Sequence, residues 1–331
     1  MRIEVLNKDI RDAFFDQLYK LGAKDKNLVF LTADADAFSL RRFREDFPSQ
    51  FVNVGVAEQN MMLVAAGLAM AGKKVFVYSI TPFVSMRCLE QINVNICNMN
   101  LDVSIIGLGC GFSFSFDGPS HHATQDLAIM RTLPNLTILE PSEEVSAVAA
   151  FNECYRTSTP TYVRLDKGAY DKNYVSNELE NGFKEYSNKS KIKLITSGYC
   201  TQIALEISEI IRQNAIEIDV INLYRLKPLN IEGIKEILHD SSNVITIEEN
   251  SLMGGIGSMV AEIICDHHLH TRLKRFGVKD KFVFEYGTRP HLMGLQGLSV
   301  NNIRDEIIEF INTPLFKKDY ISDVSELINR D

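Results

Sequence analysis

Two short segments place reactive side chains where a fold could use them. In FVNVGVAEQNMMLVAAGLAMAGKKVFVYSI a short strand runs through a glycine turn into a helix ending near Gly72, which sets Glu58 near a helix N-terminus. A glutamate there complements the helix dipole and needs no further role. Its neighbours Val54, Val56, Met61, Met62 and Leu63 are apolar, however, and a carboxyl in such a setting is a candidate for proton transfer. The second segment is GLGCGFSFSFDGPSHHATQD, in which a strand gives way to a glycine-containing loop with Asp117, Gly118, Pro119, His121 and His122. Titratable groups beyond the carboxyl end of a parallel strand stand where α/β folds hold ligands. Surface or capping work for His121, and a metal site for the histidine pair, are the competing readings. Adjacent histidines do not easily face one ion, and no third ligand is evident. His267, His268 and His270 in CDHHLHTRLKRFG read as the polar end of a helix rather than a metal tract.

The elements that must carry these residues alternate. The β-rich runs NLVFLT, KVFVYSI, VSIIGL, LTILEP and TYVRL are separated by helical stretches, which is the pattern of βαβ units around a parallel sheet. DKNYVSNELENGFKEYSNKSK is polar and reads as a linker. Beyond it IKLITSG, IEIDVINL, NVITIEE and KFVFEYG are the candidate strands, with helical patterns near 201–213, 230–239, 256–268 and 301–312. The expected architecture is α/β with two domains: residues 1–170 around a parallel sheet, a linker over 171–190, and a smaller α/β domain over 191–331.

A chain of 331 residues is long enough for two cores, and 45% hydrophobic with 24% charged residues is ordinary for a globular protein. A net charge of -8 argues against nucleic acid and anionic membranes as partners, while leaving room for a local basic pocket. The N-terminal stretch MRIEVLNKDIRDAFF has no apolar signal core, so a cytoplasmic location is expected. Six scattered cysteines without a Cys-x-x-Cys pair fit a reducing compartment and read as small core residues.

Taken together and in order, GVAEQNM, DGPSHHATQD, RTLPNLTILEPS and PTYVRLDKG resemble the pyrimidine-binding half of transketolases, and NVITIEENSLMGGIGSMVAEII resembles the C-terminal domain of that family. The resemblance implies a pyrimidine-binding domain (1–170) followed by a transketolase C-terminal domain, acting with thiamine diphosphate. It matches Glu58 to the glutamate that hydrogen-bonds N1′ of the cofactor's aminopyrimidine and favours the tautomer able to take the thiazolium proton. Phe83 falls where the family packs an aromatic ring against the pyrimidine; Met86 and Leu89 stand where further aromatics are common. Asp34 matches an aspartate near the cofactor where two subunits meet. Asp117 and His121 correspond to residues that bind the donor sugar's hydroxyls, His121 close to the reacting centre. Arg11 and Arg164 match the arginines that hold the sugar phosphate.

The departures from the family carry information too. Gly109 stands near a family histidine position, and Phe112, Phe114 and Phe116 give a bulkier lip; Phe38 and Ser39 stand near a displaced phosphate serine. A modified sugar substrate fits such a lip. The Gly-Asp-Gly element that holds diphosphate and magnesium is not found; GGIGSMV is read as close helix–sheet packing. The implied arrangement is a separate N-terminal transketolase subunit holding diphosphate and Mg2+, in an α2β2 assembly with the sites at interfaces. The expected activity is transfer of a two-carbon ketol unit between sugars. The alternatives are a 2-oxoacid-dehydrogenase-β-like or deoxyxylulose-phosphate-synthase-like enzyme, and a non-catalytic scaffold subunit.

Overall fold

The computed structural model describes residues 8–170 and 180–313. The first half builds strands β1 (Leu28–Thr32), β2 (Phe51–Asn53), β3 (Lys74–Ile80), β4 (Val103–Leu108), β5 (Thr137–Leu139) and β6 (Thr161–Leu165), all paired in parallel. β1, β3, β4 and β6 are near-continuous apolar runs because helices cover both faces of this sheet. Alternate residues divide between two cores. Phe30, Phe76, Tyr78 and Val163 face the helices Ile10–Gly22 and Glu144–Arg156, where Phe15 meets Tyr78 edge-on, Phe151 stacks on Phe76 and Phe14 lies edge-on to Phe151. Val29, Leu31, Val75 and Val77 face the helix Glu58–Met70.

The second half adds β7 (Phe183–Glu185), β8 (Ile192–Thr196), β9 (Asp219–Leu223), β10 (Arg225–Lys227), β11 (Asn243–Ser251) and β12 (Arg272–Val278). The second sheet runs β12-β11-β8-β9-β7, with only β7 antiparallel. Helices Cys200–Arg212 and Val300–Asn312 cover one face. Ile231–His239 and Ile256–Asp266 cover the other, and the core beneath them runs on into the first domain through Leu127, Met130 and Leu226. The expected helices near 201–213, 230–239, 256–268 and 301–312 all appear, within a few residues.

Three expectations change. Residues 171–179 of the expected linker lie outside the described residues, while β7 sits inside its remainder and pairs with β9. β10 returns from the second half to the edge of the first sheet, antiparallel to β5, so the sheet order is β10-β5-β6-β4-β3-β1-β2 and the halves are interleaved. KFVFEYG is not a strand: Phe282, Phe284 and Tyr286 are exposed, and the edge strand is the preceding RLKRFGV. Its basic residues hid it, and such charges are how edge strands avoid pairing with other chains.

GGIGSMV forms the start of helix Ile256–Asp266. A Cβ on Gly255 would lie 2.0 Å from a carboxylate oxygen of Glu248, which accepts the Ile256 and Gly257 amides at 2.7 and 2.8 Å. The glycines thus permit the close packing expected of them. No helix among the described residues is long and apolar enough to cross a membrane.

Candidate active site

Glu58 opens the helix Glu58–Met70 directly after Gly55, whose φ of +73° turns the chain out of β2. The residue is only 3% exposed, and Oε2 accepts a hydrogen bond from Arg87 Nη1 at 2.7 Å. Arg87 lies over Phe83, its guanidinium carbon 4.1 Å from the ring centroid, and Gln59 Nε2 holds the Arg87 carbonyl at 3.1 Å. Phe83 comes from the short helix Thr81–Val84 that follows β3 without a loop. Gly107 on β4 lets that helix settle, since a Cβ there would meet Thr81 Oγ1 at 2.8 Å. Burial, with the Glu58 charge beside it, pushes the Cys88 thiol up to about 12, so this cysteine is a packing residue and not a nucleophile. Met86 is half-buried beside Arg87, and Leu89 packs against the core.

The loop beyond β4 brings the second set of residues to the same place. Gly109 has a φ of +84°, and the Phe114 ring lies so close above it that a Cβ would come within 2.3 Å. His121 meets Phe83 edge-on at 4.9 Å and Phe114 at 6.1 Å, and its Nδ1 shares a hydrogen bond with Ser120 Oγ at 3.0 Å. Lys167 also meets Phe114, Nζ 3.6 Å from the ring centroid. Burial and then the nearby Arg11 charge lower the Lys167 pKa, with Asp117 among the acids acting in the opposite direction. Asp9 fixes this corner: it accepts the Gly168 amide at 2.9 Å while Ile10 N donates to the Gly168 carbonyl at 3.0 Å, laying the helix carrying Arg11 beside Lys167.

A continuous line of contacts therefore runs Glu58, Arg87, Phe83, His121, Phe114, Lys167, ending beside Arg11. The three loop phenylalanines do not form one lip. Phe112 is buried in the second domain's core against His122, whose pKa burial lowers, whereas Phe116 is exposed. Asp117 is exposed on the loop. Asp34 is exposed at the end of β1 with a φ of 59°, its amide and carboxylate both bonded to Asn53.

Arg164 must be corrected. It is 1% exposed, with Nε 2.7 Å from Asp126 Oδ2, Nη1 2.6 Å from Glu140 Oε1, and Nη2 3.0 Å from Asn250 Oδ1. Every nitrogen faces a protein oxygen, so none is offered to a phosphate. The residue ties β6 to β5 and β11 across the domain seam. A second, partly buried arginine, Arg289, does the same between Asp166 (2.7 Å), Glu249 (2.9 Å) and the Cys110 carbonyl (3.3 Å). Sequence reasoning missed Arg87 and Lys167. Lys167 had a signal: it lies two residues past the carboxyl end of β6, where ligands gather, whereas Arg164 lies within the strand.

A parallel-sheet domain carrying an acidic helix start, an aromatic wall and a histidine loop, joined to a second α/β domain, defines the class. The transketolase pyrimidine-binding domain matches residues 7–172 and the transketolase C-terminal domain matches 184–303. A putative transketolase C-terminal section from Methanocaldococcus jannaschii is 32% identical, over 93% of this chain and 98% of that one. One of the subunits of the apulose-4-phosphate transketolase from Phocaeicola vulgatus is 29% identical, over 91% and 97%. The solved structure of a split gene transketolase, an inactive β4 tetramer, superposes with a TM-score of 0.80 at 30% identity, over 91% and 97%. The chain belongs to the transketolase family. Its two domains are those of the C-terminal half of a transketolase-like transferase, and its relatives include parts of split transketolases, in a family dependent on thiamine diphosphate.

Proposed function

We propose that this subunit supplies the pyrimidine half of a thiamine-diphosphate site and the sugar-binding wall next to it, for transfer of a two-carbon ketol unit between phosphorylated or otherwise anionic sugars. The observation that carries this reading is the unbroken line from the buried Glu58 carboxylate through Phe83 and His121 to Lys167. Glu58 and Phe83 fit an aminopyrimidine: a planar N–C–N group, the Arg87 guanidinium, already meets both, donating to one and lying over the other. When bound, thiamine diphosphate supplies the nucleophilic carbon that carries the ketol unit. Glu58 holds a proton at the pyrimidine edge. Phe83 excludes water from that edge. His121 and Asp117 bind sugar hydroxyls, and Lys167 with Arg11 draws the anionic end of the substrate.

Magnesium and the diphosphate are assigned to an N-terminal partner subunit in an α2β2 assembly, with Asp34 near the cofactor at the boundary. The helix Glu58–Met70 supports a partner there. Met61, Met62, Ala65 and Ala66 are buried on one side, yet Leu63 and Met70 are exposed on the other, and a helix apolar all round requires a cover on both faces. Six free thiols, five of them buried, support a reducing, cytoplasmic setting.

Calorimetric titration of thiamine diphosphate and magnesium into this chain alone, and into the chain co-purified with its partner, tests the reading. Tight binding in the complex only, abolished by Glu58→Gln, is expected. Tight binding to this chain alone would sink the partner-held diphosphate site.

A further inference from the structure

The Arg87 guanidinium is a flat N–C–N group that donates to Glu58 Oε2 at 2.7 Å and lies 4.1 Å over the Phe83 ring. On the reading above, these are the two contacts an aminopyrimidine makes with this chain, a hydrogen bond to the carboxylate and a face against the aromatic ring. One ring face cannot carry two planar groups at once, and the guanidinium over Phe83 also occupies a donor position on Glu58. We infer that Arg87 is an internal placeholder for the cofactor's pyrimidine, closing the pocket in the unpartnered chain and swinging out to solvent when the pyrimidine enters.

Three features of the site suit an exchange. First, the Glu58 side chain is 4% exposed, so a carboxylate there left without a donor is costly, and in the empty pocket Arg87 supplies one. Second, the Arg87 side chain is 43% exposed, so the displaced guanidinium is hydrated as it leaves and little is lost. Third, the backbone need not move. The Arg87 carbonyl stays tied to Gln59 Nε2, and Cys88 Sγ to the Phe83 carbonyl at 3.2 Å, so rotation about the side-chain bonds is enough. Arg87 differs here from Arg164 and Arg289, whose guanidinia are buried among several acids and have no way out.

The inference rests on the assignment of Glu58 and Phe83 to a pyrimidine, so the experiment separates the two. The probe is 4-amino-5-hydroxymethyl-2-methylpyrimidine, the free pyrimidine half of thiamine, titrated into the isolated full chain by calorimetry. The variants are Arg87→Met, Arg87→Lys and Glu58→Gln, each checked for a retained cooperative thermal transition. Arg87→Met is expected to bind the probe about tenfold tighter than the native chain, because the closed population no longer subtracts from the affinity. Arg87→Lys, which keeps the charge without the plane, should fall between the two. In the native chain, guanidinium 15N signals of Arg87 should exchange slowly when free and fast when the probe saturates. Binding by Arg87→Met no tighter than native, with Glu58→Gln still abolishing it, would overturn the placeholder and leave the pyrimidine site standing. Binding that ignores Glu58→Gln would overturn the pyrimidine assignment, and the placeholder with it.

Discussion

Arg164 and Arg87 both hold carboxylates, in opposite settings. Arg164 is 1% exposed and shares its guanidinium among Asp126, Glu140 and Asn250 across the domain seam; Arg87 is 43% exposed and has a single acid, Glu58. The first arrangement is closed, with Nε and Nη2 hydrogen-bonded and Nη1 paired with Glu140, all inside the protein. The second leaves a flat cation over an aromatic ring with one side to water. Burial and the number of partners, not residue type, separate an arginine that fixes the fold from one that a ligand can replace.

The strongest way to break this comparison is Arg164→Ala. It strands Asp126 and Glu140 inside the seam, and removing one partner of a buried ionic network costs about 3–5 kcal/mol. Urea unfolding should show the midpoint falling by that equivalent, whereas Arg87→Ala, which leaves the single acid Glu58 without its donor, should cost less, about 1–3 kcal/mol. Equal losses would mean that the seam is hydrated and the contrast false.

The same contrast explains what the sequence disclosed. Glu58, Phe83 and His121 were legible because the order of their segments is distinctive, and the structure brings Phe83 and His121 within 4.9 Å and Phe83 and Glu58 onto one arginine. Arg164 was misassigned because a strand arginine and a loop cation three residues later look alike in sequence. Only the end of β6 at Leu165, and the oxygens contributed by Asp126, Glu140 and Asn250, tell them apart. The two-domain α/β plan followed from alternation. The return of β10 to the first sheet did not, since a three-residue strand paired far along the chain leaves no periodic trace. Density of Phe and Val drew attention to KFVFEYG, while the true edge strand was masked by its own Arg272, Lys274 and Arg275.

Glu248 sharpens the comparison from the acid side, for its donors are backbone amides rather than an arginine. Burial outweighs the Gly257 and Ile256 amides and pushes its pKa from 4.5 up to about 7. A carboxyl raised on folding binds more protons in the native state, so its contribution is fully present below pH 4.5 and lost as pH rises to about 7. Across that window native stability should fall relative to Glu248→Gln, by at most about 3 kcal/mol. Measured as denaturation curves at several pH values, a difference between the two proteins that does not change with pH would mean that the amides keep Glu248 ionised throughout.

The smallest expected effect lies at the far end of the site. If Lys167 is the cation that Arg164 is not, Lys167→Met in the reconstituted enzyme should raise KM for a phosphorylated sugar about tenfold and change kcat little, because an anchor distant from the reacting atoms binds ground and transition states alike. Lys167→Arg should restore much of the affinity, since the Phe114 face that holds the ammonium at 3.6 Å also accepts a guanidinium. The uncharged sugar is the internal control: it should respond weakly to either change. A loss of the same size for both sugars would make Lys167 a prop for Phe114 and the loop, placing it with Arg164 among the residues that fix the fold.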